Sequence, residues 1–275
     1  MKLFKNKNTA FLLSFPYISW ALIFILVPLA MVIYYGLTDS DGSFTLDNIA
    51  TIMKPGYFKS LVRSLQLAVI STVVCFILAY PLGLILSSMK LTKNTYIVML
   101  FILPMWMNFL LRTLTWMTLL EGKGVINAVL EFFHLPTISI INTPSAIVLG
   151  MVYNFLPFMI LPIYNSLIKI DENVINAAKD LGANTFQTFL KIILPLSLPG
   201  ILSGITMVFI PALTTFAIST MLGGSKILLI GNIIEQEFTQ LYDWHVGSGL
   251  SIVLMVFILF NVIVETLSDK KGDLL

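Results

Sequence analysis

Charge is scarce in this chain: only 11% of its 275 residues are Asp, Glu, Lys or Arg. Ordinary soluble domains carry about 25%, so a water-facing globule of usual composition is excluded. Cysteine occurs once, at Cys75, which rules out a disulfide within the chain and leaves redox chemistry silent on compartment. Lying inside an apolar run, Cys75 reads as a small core residue. The two histidines, His134 and His245, are far apart, and no residues at ligand spacing surround either, so no metal site is expected. A G-x-x-x-x-G-K-[ST] phosphate cradle is also missing, because Gly223, Gly224, Ser225 and Lys226 lack that spacing. No cluster of His, Asp, Glu or Cys recurs at one depth along the chain, which argues against an enzyme.

What the chain has instead is apolar length. Hydrophobic residues make up 57% of it, with runs at 11–35, 64–88, 95–118, 144–167, 198–221 and 247–267. A helix crosses a ~30 Å hydrocarbon core in roughly 20 such residues. The runs are continuous and not alternating, which excludes a transmembrane barrel. The expected fold is all-α: a polytopic membrane bundle of about six transmembrane helices, one transmembrane domain over 1–275, with a polar segment at 168–197. The first run follows Lys2, Lys5 and Lys7, yet it is about twice as long as a signal peptide's apolar region and no small-x-small site ends it, so it reads as an uncleaved span.

Six spans place both termini, 89–94 and 168–197 on one face. That face carries Lys2, Lys5, Lys7, Lys90, Lys93, Lys169, Lys179, Lys191, Lys270 and Lys271, against Lys54, Lys59, Arg63, Lys123 and Lys226 on the other. The excess of positive charge assigns the first face to the cytoplasm. Asp39, Asp41, Asp47, Glu121, Glu131, Glu235, Glu237 and Asp243 fall outside, either as solvated loop charges or as an attraction for a cationic solute. In the outer stretch KILLIGNIIEQEFTQLYDW, Ile230, Ile233, Ile234 and Phe238 recur at helical spacing, which predicts a short amphipathic helix; GVINAVLEFFHL reads similarly and makes His134 an interfacial residue.

The polar segment is patterned. Asp171 suits a helix start and Gly182 a helix end, giving a first helix near 172–181 with Val174, Ile175, Ala178 and Leu181 on its apolar face. Asn184 or Thr185 then caps a second helix, in which Phe186, Phe189, Leu190 and Ile193 share a face until Pro195 and Pro199. An elbow of two short helices results. The small residues Ala177, Ala178 and Gly182 would admit another protein's backbone; the same pattern equally suits a helix pair lying on the membrane surface.

Ala177-Ala178, Gly182 and Ile192-x-Leu194-Pro195 resemble the signature of the permease subunits of ATP-binding-cassette importers, Glu-Ala-Ala, three residues, Gly, nine residues, Ile-x-Leu-Pro, with every spacing kept. One position departs, Asn176 standing where the signature has Glu, which puts in doubt any ion pair made there. The likeness extends from FTLDN (Phe44–Asn48) through SLQLAVISTVVCFILAYPLG and NTPSAIVLGMVYNFLPFMILPIY to LLIGNIIEQEF, and within the family it is greatest to the polyamine permeases. The resemblance implies the type I importer (MetI-like) fold in a bacterial inner membrane. It also implies that 168–197, with Asn176, Ala177, Ala178, Asp180, Gly182, Ala183, Ile192, Leu194 and Pro195, couples to a partner ATPase. The partners so implied are a second homologous permease, a cytoplasmic ATPase dimer that holds ATP and Mg2+, and an extracytoplasmic binding protein. The cargo would be a small polycation, spermidine or putrescine, and no cofactor or nucleic acid is expected on this chain. Another small solute is the alternative within the class.

An ATP-independent transporter is the rival outside it and would bring ionisable groups into the membrane. Arg112 alone stands out, and it is expected to reach the interface or pair with Glu121. A polyamine path would combine aromatic faces with polar oxygens. Trp106, Asn108 and Phe109; Tyr153, Asn154 and Phe158; and Thr214, Thr215, Phe216, Ser219 and Thr220 offer these, each group near a proline, Pro104, Pro157 or Pro211. Their ordinary role would be packing. No acid lies among them, so a cation would meet acids only at Glu235, Glu237 or Asp243.

Overall fold

The computed structural model describes residues 15–88, 103–224 and 226–272. Among them no strand forms beyond one bridge between Thr38 and Phe44. The helices are α1 (Phe15–Gly36), α2 (Asp47–Ala50), α3 (Pro55–Ser88), α4 (Phe109–Leu120), α5 (Val125–Phe132), α6 (Pro144–Leu167), α7 (Glu172–Asp180), α8 (Thr185–Leu196), α9 (Leu198–Thr214), α10 (Ala217–Leu222), α11 (Ile230–Thr239) and α12 (Trp244–Gly272).

Four of these, α1, α3, α6 and α12, are long and apolar enough to cross a membrane. A fifth span arises if α8 and α9, bent by 62° at Ser197, count as one. The run expected at 95–118 lies partly outside the described residues, and its described part, α4, has 12 residues. The run expected at 198–221 is interrupted: Thr215 is extended, with ψ 138°, so α9 stops at Thr214 and α10 starts anew at Ala217.

The chain forms two compact units. The first holds α1, α2, Tyr57 and residues 234–256 of α11 and α12. There the Asn48 amide donates to the Thr38 carbonyl at 2.9 Å and to those of Tyr35 and Gly36 at 3.3 and 3.4 Å, satisfying the end of α1. Beside it Tyr35 meets His245 edge-on at 5.3 Å and Trp244 at 6.1 Å, and Trp244 in turn meets Phe238 edge-on at 5.8 Å.

The second unit holds the rest. Its core is the α6–α9 contact, where Ile147, Met151, Met159, Ile160 and Ile163 are enclosed. Small residues make the contact close: a Cβ on Gly200 would sit 2.5 Å from the Pro162 carbonyl oxygen, and one on Gly204 2.7 Å from Met159 Sδ. Cys75 is fully buried in the same unit, as expected of a small core residue. Asn232 was not singled out from the sequence, yet it ties the α9–α10 break to α11: its Nδ2 donates to the Phe216 carbonyl at 3.1 Å and to Thr220 Oγ1 at 2.8 Å, while its Oδ1 accepts from Leu229 N–H at 3.1 Å. An interrupted helix frees backbone oxygens, and the amide supplies one of the missing donors.

Candidate functional site

The elbow between α7 and α8 is built from local hydrogen bonds. Asp171 accepts from Asn173 N–H at 2.9 Å and so caps α7. At the other end Gly182 has φ +83°, a conformation that costs glycine nothing, and Ala183 N–H closes the turn on the Ala178 carbonyl at 3.0 Å. Asn184 and Gln187 then form a reciprocal capping box, at 2.8 and 3.0 Å, that starts α8. The chain turns sharply here because three successive residue types each fix one end of a helix.

The tip is apolar and open. Leu181 is 89% exposed and Phe186 68% exposed. Asn176, Ala177, Asp180, Gly182 and Pro195 are also exposed, while Ala183, Ile192 and Leu194 are half-buried. Ala178 differs from its expected role: it is buried within the elbow, so of the small pair only Ala177 is presented outward. Of the two aromatic residues on α8, Phe189 anchors the elbow, its ring meeting Tyr80 of α3 edge-on at 5.8 Å. Tyr80 Oη also shares a 2.9 Å hydrogen bond with Ser197 Oγ at the start of α9. Phe186 makes no such contact and faces outward. A cavity of about 670 Å³ lies beside the elbow, lined among others by Asn165, Lys169, Asp171, Val174 and Ser203.

The candidate path residues divide differently. Trp106 is 74% exposed in a 3-10 turn, and Asn108 spends its side-chain oxygen capping α4, accepting from Leu110 N–H at 2.9 Å. Phe109 is half-buried. Tyr153 packs edge-on against Trp116 at 5.3 Å. Asn154 is enclosed and donates to the Gly150 carbonyl at 2.8 Å. Phe158 is half-buried beside it on α6. Thr214, Ser219 and Thr220 all turn their hydroxyls onto backbone oxygens, at 3.0, 2.8 and 2.9 Å. Thr215 and Phe216 form the break itself. α10 packs against both α4 and α6, so the second unit gathers these three groups, with most of their polar atoms engaged in holding helices.

Glu235, Glu237 and Asp243 belong to the first unit. Asp243 accepts from Val246 N–H at 3.0 Å at the start of α12, and Glu235 accepts from the Thr239 hydroxyl at 3.0 Å. Glu237 departs from its predicted polar face: it is 4% exposed and accepts from Tyr57 Oη at 2.8 Å. Arg112 neither reaches an interface nor pairs with Glu121. It is 7% exposed, and its Nε and Nη1 have no partner among the described residues. α4 carries it on the face shared with Thr113, Trp116 and Leu120, which turns the side chain inward. A second ionisable group inside a span, Glu265 of α12, escaped the sequence reading and accepts from Ser203 Oγ at 2.8 Å.

A family model described as binding-protein-dependent transport system inner membrane component matches residues 9–270. The chain belongs to this family. As a permease it is a multi-pass membrane protein and a transport subunit, not an enzyme, of a kind that works with a partner permease, an ATPase chain and a substrate-binding protein. It is 38% identical over 269 residues to the spermidine/putrescine transport system permease protein PotB of Escherichia coli K12, covering 94% of this chain and 98% of that one. The PotB of Haemophilus influenzae is 36% identical over 278 residues, with 98% and 97% covered. Among solved structures, a chain of a bacterial alginate ABC transporter superposes with TM-score 0.75 at 17% identity, over 96% of both chains. A chain of the MetNI methionine ABC transporter gives 0.55 at 19% identity, over 78% of this permease and 94% of that chain. These likenesses confirm the all-α MetI-like fold.

Proposed function

We propose that this permease carries spermidine or putrescine into a bacterium as one of two homologous membrane chains. A cytoplasmic ATPase dimer would hold the ATP and Mg2+, and an extracytoplasmic protein would deliver the cargo. The observation that carries the cargo is its identity with PotB, 38% along 94% of the chain, a likeness that runs far beyond the coupling signature. The elbow supports the coupling role. An ordered turn that leaves Leu181 and Phe186 in solvent has an apolar tip suited to a groove on another protein.

On this reading residues 1–275 act as a single membrane domain with both termini in the cytoplasm, and 168–197 is the part the ATPase grips. Closure of the ATPase dimer pulls on the elbow; because Phe189 and Ser197 tie it to Tyr80, the pull passes into α3 and α9. Asn176 is exposed where the signature places Glu, so docking here rests on apolar contact and shape in place of a carboxylate.

Uptake of labelled spermidine by cells expressing this chain with its partner subunits, against cells carrying Gly182→Pro, tests the proposal. Proline cannot adopt φ +83°, so the elbow loses its turn. Uptake in the first and at least a 10-fold loss in the second is expected, with the ATPase no longer copurifying. Full uptake by the variant removes the coupling role, and an assembled wild-type complex that transports no polyamine removes the cargo.

A further inference from the structure

The first unit contains a buried carboxylate that no described side chain neutralises. Glu237 is 4% exposed, its Oε1 accepts from Tyr57 Oη at 2.8 Å, and none of the described Lys or Arg side chains pairs with it. Its Oε2 receives no donor among the described residues and is not one of the enclosed unpartnered atoms, so that oxygen reaches the surface. Removing a carboxylate from water is expensive unless a charge or several donors compensate, and one neutral phenol is little compensation.

Aromatic rings gather in the same corner of the unit. Phe238 follows Glu237 on α11 and meets Trp244 edge-on with centroids 5.8 Å apart, and Trp244 in turn lies 6.1 Å from Tyr35. Trp244 is 49% exposed, which leaves part of its ring open to a ligand. The corner that holds these groups is fixed: Asp243 N–H donates to the Glu237 carbonyl at 2.9 Å, and Gly247 packs so closely that a Cβ there would lie 3.1 Å from the Phe238 ring. An acid with one free oxygen and a phenol, in a corner that also holds aromatic rings, offers what an alkylammonium group needs, a charge-assisted hydrogen bond and cation–π contact.

We propose that Glu237 and Tyr57, with the rings of Phe238, Trp244 and Tyr35, form a binding site for a primary ammonium group. The inference rests on the functional reading above for its membrane side, which places the site on the extracytoplasmic face, where it takes one end of the cargo as the binding protein releases it. Because the carboxylate is already hydrogen-bonded to Tyr57, it is held in place before the ligand arrives, with Oε2 left to accept from the incoming ammonium.

Equilibrium dialysis of labelled spermidine, and separately of labelled ethylamine, against the detergent-purified permease–ATPase complex without binding protein decides the matter. The wild type should bind spermidine; Glu237→Gln, which keeps the Tyr57 hydrogen bond but not the charge, should bind at least about 10-fold more weakly. Tyr57→Phe and Trp244→Leu should each weaken binding by about 2- to 10-fold, while Asp41→Asn, an acid in the exposed loop after α1, should change nothing. Ethylamine bound in a Glu237-dependent way without spermidine binding would keep the ammonium site and discard the cargo. Binding by Glu237→Gln as tight as by wild type, or no amine bound by the wild type, overturns the site even if cells import spermidine. Should Glu237→Gln fail to assemble, unchanged binding in both Tyr57→Phe and Trp244→Leu overturns it.

Discussion

The elbow and the α6–α9 pair are held by opposite means. In the elbow the turn itself is shaped by contacts within a few residues: Asp171 with Asn173, Ala183 with Ala178, Asn184 with Gln187. In the helix pair the contacts that matter join distant residues, Gly200 to Pro162 and Gly204 to Met159, and they work by the absence of a side chain. The first region is ordered without being buried; the second is ordered because it is buried. An ordered segment with an apolar tip in solvent has its shape settled before any partner arrives, which is what a lever between two proteins requires.

The largest expected effect sets the two regions against each other. Gly200→Leu places a branched side chain where even a Cβ would lie 2.5 Å from a backbone oxygen and 2.5 Å from Ser166 Cβ. Overpacking of cores costs about 1–3 kcal/mol; backbone cannot swing aside as a side chain tip can, so the upper end or beyond is expected, seen as a lowered thermal midpoint in detergent and loss of uptake. Leu181→Ser on the elbow, 89% exposed, should leave the midpoint within about 0.5 kcal/mol of wild type while weakening ATPase copurification. Equal destabilisation by both would show that the elbow is part of the folded core.

The same contrast explains what was legible in the sequence. The elbow was readable almost residue by residue, because Asp, Gly and Asn at helix ends act on their immediate neighbours. The spans were readable as spans because apolar length needs no knowledge of what lies opposite. Burial was not: α1 and α6 are both apolar enough to cross a membrane, yet none of the apolar window of α1 is buried in the chain and 61% of that of α6 is. Which helix lies inside depends on its neighbours, and those pairings are written in Gly200 and Gly204, far from α6 in sequence. Three site expectations failed for the same reason. Glu237 was assigned to the polar face of a helix and is buried against Tyr57. Ala178, on the apolar face of its helix and one of the small pair expected to admit another protein's backbone, is closed within the elbow. The break at Thr215, in what read as one continuous span, is sustained by Asn232, and no local pattern announces such a donor.

Charges sharpen the comparison at an intermediate size. Lys179, Asp180 and Lys191 of the elbow lie in solvent, whereas Arg112 is 7% exposed with Nε and Nη1 unpartnered. Replacing even a buried ion pair by apolar residues of similar volume is often neutral or stabilising by about 1–4 kcal/mol, and a buried cation without a partner has only its desolvation cost to lose. Arg112→Met should therefore raise the thermal midpoint of the purified chain, while Lys179→Met on the elbow should leave it unchanged. A lowered midpoint for Arg112→Met would mean that the guanidinium has acceptors in the folded protein, and the contrast between solvated and buried charge would lose its example.

The smallest effect tests whether the elbow's local order matters at all. Asn184→Ala removes one half of the capping box, since the Gln187 N–H loses the acceptor now at 2.8 Å. An N-cap of this kind is worth about 1 kcal/mol. Because the elbow carries little of the buried core, that loss should appear locally, as faster amide exchange over Thr185–Thr188, with the global midpoint almost unmoved. Coupling should feel it more than folding does: a lever whose corner opens part of the time transmits only part of the stroke, so uptake should fall by a few-fold while the amount of assembled complex stays the same. Asn184→Ser, which restores a side-chain acceptor, should recover most of it. If instead uptake is untouched although exchange quickens, the rigidity of the corner is incidental and the exposed tip alone carries the contact.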